Sequence, residues 1–331
     1  MMKKINGKNL AAAIMMSMAF SFTCAANPSE EASVVSGNNS VAAVEAPAST
    51  TVAVQVEVKQ PVVQDVKEES NGSINWENPS GVDVTAVGMG VPPETKHPAQ
   101  AKALARRAAI IDAQRNLLHT IKGVQIDDGS EMKDYIASDF VKAGISGLLR
   151  GARVVEEGTN EDGSYYVKMS VPMFGQGNSV AAVAMPIVSN NVTAVPVPKV
   201  TKTTLHKEVV KEIKNVKYTG VVVDADNMGL EPTFAPTIYD TNGRVIYGLA
   251  NLDKDKAISQ GMVGYANVIQ DATNGNRAGD NPLVVKAVAV KGGKNSANPV
   301  NVVVSVEDAD KILLANENTQ MLNEAAVVFV K

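Results

Sequence analysis

The spacing of apolar residues changes several times along the chain, and each change marks an element. From Leu10 to Phe22 the run is almost continuous, broken only by serines. A bilayer span needs about 20 apolar residues, so this run is too short to be one. With Lys3, Lys4 and Lys8 ahead of it and Ala25 and Ala26 behind, it reads as the core of an export signal. Residues 27–75 are rich in Ser, Ala, Val, Glu, Pro and Asn and hold no aromatic residue, so they read as an extended tether. Within them only "TTVAVQVEV" alternates as a strand would.

A folded domain is predicted over 76–174. In "VDVTAVGMGVP" Val82, Val84 and Ala86 share one face of a strand that Pro92 and Pro93 terminate. The period then becomes helical in "PAQAKALARRAAIIDAQRNLLHTIKG". Ala101, Leu104, Ala108, Ile111 and Leu118 form a stripe there, widened by Ala105, Leu117 and Ile121. Pro98 suits the first turn and Gly123 the stop. The alanines predict close approach of this helix to a sheet. A short strand "VQI" follows. "MKDYIASDFVKAGISGLLRG" predicts a second helix anchored by Ile136, Phe140 and Leu148, with Gly144, Gly147 and Gly151 for close packing and a cap. "ARVVEEGTNEDGSYYVKMSVPM" predicts a hairpin turning at "NEDG", with Tyr165, Val167, Met169 and Val171 on one face.

Residues 175–212 carry Gly, Asn, Pro and valine without a clear period and read as a linker, ending in "TLHKEVVKEIKNVK", a short helix or a strand. A second domain is predicted over 213–331. Its strands are "YTGVVVDADNMG", the hairpin "PTIYDTNGRVIYG" with Asn242-Gly243 as a type I′ turn, "PLVVKAVAVKG", "PVNVVVSV" and the closing "AAVVFVK". "EDADKILLANEN" is a helix with acids in its first turn. The fold class expected is α+β: two domains, each a largely antiparallel sheet with helices packed on it.

Charge and composition narrow the function. The net charge is −4, and loss of Lys3, Lys4 and Lys8 with an export signal would make it −7. With 4% aromatic residues and no Lys/Arg cluster, nucleic-acid binding is not expected. His97, His119 and His206 stand apart from each other and from Cys24, so no zinc site is expected. No GxSxG, phosphate-binding loop or dinucleotide loop occurs; "VGMGVP" lacks the third glycine and the helix start. "DADNMGLE" places Asp224, Asp226 and Gly229 at calcium-loop positions, but Met228 and Ala235 stand where ligands are needed, so a polar turn is preferred. Asp112 and Arg115 are three apart and suit a surface ion pair. No enzyme activity, cofactor or metal is expected.

The single cysteine, Cys24, admits two fates. Cleavage after Ala26 removes it with residues 1–26; cleavage before it removes 1–23 and leaves a lipidated Cys24. Ser21 and Thr23 fit a lipobox poorly, whereas the position at the end of the apolar run fits one well.

"GMGVPP", "AKALARRAAIIDAQRNLLHTIKGVQI", "MKDYI", "ISGLLRGARVV" and "DGSYYVKMSVPM" stand in the order and spacing of the lipoprotein-20 family of bacterial envelope proteins. The first domain is also similar to the N-terminal domain of flagellar assembly protein T. The second domain resembles the C-terminal half of longer members, which often carry Arg at the position of Asp226. This resemblance implies an exported, non-enzymatic structural or assembly protein of the periplasm or outer membrane, in some members flagellum-associated. It favours a lipid anchor at Cys24, with other envelope proteins or copies of the chain as partners. The alternative reading is a periplasmic ligand-binding or cell-wall-binding protein with a groove lined by Tyr165, Tyr239 or Tyr247.

Overall fold

The computed structural model describes residues 71–331 apart from 79, 191, 276 and 293–297. The export signal, Cys24 and the tether as far as residue 70 lie outside the described residues. The chain runs β1 (Gly72–Ile74), β2 (Asp83–Gly90), α1 (Pro98–Lys122), α2 (Met132–Ile136), α3 (Asp139–Arg150), β3 (Arg153–Thr159) and β4 (Tyr165–Pro172). Then come α4 (Val180–Val188), α5 (Lys207–Asn215), β5 (Val221–Asp224), β6 (Ile238–Asp240), β7 (Val245–Tyr247), α6 (Lys254–Gln260) and β8 (Gly264–Ala266). α7 (Ile269–Thr273), β9 (Leu283–Lys291), β10 (Asn301–Val304), α8 (Val306–Thr319) and β11 (Val327–Val330) complete it. The fold is α+β with two sheets.

The first sheet is antiparallel throughout, in the order β1-β2-β4-β3. It begins before Trp76: β1 lies inside the stretch expected to be tether, pairing Gly72–Ile74 with Val84–Ala86. The "NEDG" turn closes as expected, with the Gly163 N–H on the Asn160 carbonyl (3.0 Å) and Gly163 at φ +83°. One face of the sheet carries α1, and the stripe that faces it differs from the one expected. Ala101, Ala105, Ala109, Ala113, Leu117 and Ile121 are buried, while Leu104 is 44% and Ile111 58% exposed. The reason lies on β2. A Cβ added at Gly88 would come within 2.7 Å of Ala113 Cα and closer still to the Ala113 nitrogen and the Ala109 carbonyl oxygen. One at Gly90 would meet the Ala105 carbonyl. Two glycines on the strand and three alanines on the helix let the two backbones touch, so the larger side chains turn outward.

The second predicted helix is two helices. It breaks at Ala137 and Ser138, and Met132, Val141, Ile145 and Leu148 are its buried residues rather than Phe140, which is 61% exposed. Residues 141, 145 and 148 share a face at helical spacing, and 140 does not.

The second sheet has the order β7-β6-β10-β9-β5-β11-β8. The expectation of a largely antiparallel sheet is corrected here: β6–β10, β5–β9, β5–β11 and β8–β11 are parallel, and only β9–β10 and β6–β7 are antiparallel. β5 and β11 supply the unbroken apolar runs Val221–Val223 and Val327–Val330, buried on both faces as central parallel strands require. α7 contributes to one covering layer, through Ala272 against Val222, Val328 and Val330. The "TNG" turn is also corrected. Only Gly243 of the turn has positive φ, the Gly243 N–H donates to the Asp240 carbonyl (2.9 Å), and the Asp240 N–H donates to the Arg244 carbonyl (3.0 Å). That is a type I turn with a glycine bulge, as in "NEDG".

The expected linker holds two helices. α4 buries Val180, Ala181, Ala184 and Met185 in the shared core, and α5 is a helix rather than a strand. Backbone groups also tie the two sheets together. The Phe234 and Ala235 N–H groups donate to the Gln125 and Ile126 carbonyls (2.9 and 2.7 Å), and the Gly175 N–H donates to the Ile258 carbonyl (2.8 Å). Side chains add to this: Asn298 Nδ2 donates to Gln125 Oε1, and Asn301 Nδ2 to Asp128 Oδ2, both at 3.0 Å.

A candidate groove at the seam and an outward helix face

Where β1 leads into β2, an aromatic cluster forms against the edge of the second sheet. Trp76, the only tryptophan, meets Tyr265 edge-on (centroids 5.9 Å) and Phe174 at a tilt (6.4 Å). Phe174 stacks on Phe234 (5.6 Å), and Tyr265 meets Phe329 edge-on (6.1 Å). Above this cluster lies a groove of about 850 Å³. The first sheet and the loops at its strand ends supply Trp76, Glu77, Asn78, Asp83 and Phe174 to it; β8, α7 and the loops around them supply Tyr265, Asn267, Asp271, Asn274 and Arg277.

Arg277 is committed to structure. Its Nε donates to the Ala325 carbonyl and Nη1 to the Gln260 carbonyl, both at 2.7 Å, and Nη2 donates to the Gly261 carbonyl. These carbonyls lie at the end of α6 and at Ala325, a residue with φ +54°. Burial pulls the guanidinium below its ordinary value, while Tyr247 and Tyr265 nearby act in the opposite sense. Lys331 Nζ is likewise paired with Glu77 (2.7 Å).

Tyr265 Oη accepts from the Thr233 N–H (3.0 Å) and donates to the Thr233 carbonyl (3.2 Å); Tyr247 Oη donates to the Met262 carbonyl (2.7 Å). Burial pushes both phenols up. Unfolded tyrosine ionises near pH 10, so above that pH the unfolded chain binds fewer protons than the folded one. Stability should therefore be intact below about pH 10 and fall above it, by up to about 1.4 kcal/mol per pH unit for each tyrosine. Urea midpoints measured from pH 9 to 11 should show this fall, with a shallower slope for Tyr247→Phe.

A second surface lies on α1. Opposite the alanines, Leu104, Ile111 and Leu118 follow one another every seven residues, and Leu118 is half-buried. Arg107, Arg115 and Lys122 are exposed on the same side. Asp112 Oδ2 accepts the Met89 N–H (3.0 Å) and Asn116 Nδ2 donates to the Val87 carbonyl (2.7 Å), beyond the end of β1. Asp112 thus covers an open strand edge as well as pairing with Arg115 (3.5 Å), the contact expected from spacing.

The other singled-out residues have local roles. His97 caps α1 through Nδ1 to the Ala99 N–H (3.4 Å), His206 precedes α5, and His119 is exposed. Asp224 accepts the Asp226 N–H (3.1 Å) within a turn that contains Asn227 and Gly229 at positive φ. The tyrosines expected in a groove do not line this one: Tyr165 and Tyr247 are buried, and Tyr239 lies under Lys291. Trp76, Phe174 and Tyr265 take that place, and the one sequence signal was the uniqueness of Trp76 at the start of the first domain. Among the described residues no helix is long and apolar enough to cross a membrane, and no group of three or more His, Cys, Asp or Glu residues is placed to hold a metal.

No curated protein matches the chain. Residues 220–331, which carry all seven strands of the second sheet, are similar to the second domain of Tp0624 from Treponema pallidum.

Proposed function

We propose that the chain is a non-enzymatic, exported cell-envelope protein that acts as a structural or assembly component. In this reading Cys24 is its lipid anchor to the outer membrane and the stretch from there to β1 supplies its reach. Export rests on the Lys-flanked apolar run at Leu10–Phe22, and the envelope setting on the lipoprotein-20 resemblance. The observation that carries an assembly role is the outward face of α1. It keeps Leu104 and Ile111 exposed beside Arg107 and Arg115 on a helix whose opposite face is already packed. An apolar line every seventh residue, flanked by cations, suits a partner helix that carries acids. The partner is another envelope protein or a copy of the chain.

The test is the double variant Leu104→Glu/Ile111→Glu. Both residues are exposed, so stability should change by no more than about 0.5 kcal/mol per site. A photo-crosslinker at Ile111, in the envelope of the native bacterium, should give one defined adduct that the double variant loses. A folded, exported protein with no adduct at Ile111 would remove the assembly role. The anchor is tested separately by the mass of the mature N-terminal peptide, which starts at acylated Cys24 in this reading and at Asn27 without lipid in the other.

A further inference from the structure

We infer that the groove between the sheets is a binding site for a neutral oligosaccharide. The inference is independent of the assembly reading, because the groove and the outward face of α1 share no residue. A volume of about 850 Å³ is the size of a small-ligand site. Its lining selects the chemistry. Asn78, Asn267 and Asn274 bring carboxamides, each a donor and an acceptor at once, and Ser80 and Ser259 bring hydroxyls. Asp83 and Asp271 bring carboxylates, and Asn267 and Asn274 are exposed in the free protein.

The lining holds three carboxylates, Glu77, Asp83 and Asp271, against one cation, Arg277. Arg277 donates to three backbone carbonyls, and Glu77 and Asp83 are approached by Lys331 and Arg153 (2.7 and 3.9 Å) from outside the lining. Nucleotides, phosphate headgroups and acidic peptides would therefore meet an excess of carboxylates and one guanidinium whose donors are largely taken. A hydrocarbon ligand would strand the amides and carboxylates without hydrogen bonds, at a cost of about 1–3 kcal/mol for each buried group. A sugar ring matches both halves of the lining. Its hydroxyls donate and accept together, as carboxamides and carboxylates require, and its C–H face is flat and apolar against Trp76 and Phe174. Trp76 and Phe174 lie in loops that flank strands of the first sheet and Tyr265 lies in β8 of the second, so the site exists only because the sheets are docked.

Trp76 is the one tryptophan, so the site carries its own reporter. The experiment titrates the folded chain with cellotetraose, maltotetraose and chitotetraose and follows Trp76 emission. At least one sugar should give a saturable change with Kd at or below about 1 mM. Asn267→Ala/Asn274→Ala should weaken that binding at least tenfold with an unchanged melting temperature. Three results would overturn the inference: no saturable change with any of the three up to about 10 mM, a change that the double variant leaves intact, or a saturable response to ATP or dodecylphosphocholine with none to the sugars. None of them bears on the adduct expected at Ile111.

Discussion

Gly88→Ala should destabilise the protein by about 3 kcal/mol or more, at the top of the range for overpacking a core. The atoms that the new methyl group would meet are the Ala113 nitrogen and Cα and the Ala109 carbonyl oxygen. They are helix backbone, so no side-chain rotamer can relieve the clash; α1 must lift from β2 as a unit. That would strip cover from Val84, Ala86, Val167 and Met169 and break the Asp112 and Asn116 bonds to the edge of β2. Gly147→Ala is the control. Gly147 lies in α3 with nothing within 4 Å of a would-be Cβ, so alanine there should raise stability by up to about 1 kcal/mol through helix propensity. Urea unfolding of both variants measures the difference. Equal midpoints would mean that the β2–α1 contact is looser than described.

Arg244→Met should cost about 3–5 kcal/mol, the effect of leaving buried charges without their partner. Arg244 joins the β6–β7 turn to α8. Its Nε donates to Asp240 (2.9 Å) and its Nη2 to Asp310 (2.8 Å), and each aspartate is 2% exposed. Asp240 keeps the Asn242 and Arg244 N–H groups as donors after the substitution, but Asp310 loses its ion-pair partner and the two carboxylates share one buried site. Arg244→Met/Asp310→Leu should recover much of the loss, because an apolar pair of similar size can replace a buried ion pair at little cost. A double-mutant cycle by urea unfolding reads the coupling. A cost below about 1 kcal/mol for Arg244→Met would place this pair with surface salt bridges instead.

Both predictions involve residues whose importance was only partly legible. "VGMG" was visible as two glycines on a strand, and the alanines of α1 foretold close packing. Which stripe of α1 would be buried was not visible. Leu104, Ile111 and Leu118 are the larger apolar residues at helical spacing, and burial area alone favours them. The contact with Gly88 and Gly90 reverses that preference, because small residues on both partners gain more from backbone proximity than two large side chains gain from a distant layer. Asp112 and Asn116 have a similar history. Spacing supplied the pair with Arg115, whereas the bond from Asp112 to Met89 depends on β1 ending opposite Ala86. For the groove, Trp76, Phe174 and Tyr265 come from three separate segments, so no window of sequence contains the site.

By itself the sequence determined the α+β class, the β2–α1 unit, both glycine turns as turns, α8 and the closing strand. Each of these is a local pattern: period two, period 3.6, a cap, or a residue able to take positive φ. The tertiary structure decided the rest. It set β11 between β5 and β8, made the second sheet mostly parallel, folded part of the expected linker into the core as α4, and placed Trp76 against Tyr265. An apolar run such as Val327–Val330 says that both faces will be buried but not by which neighbours. Strand partners are chosen by contacts far apart in the chain, and apolar side chains carry no address.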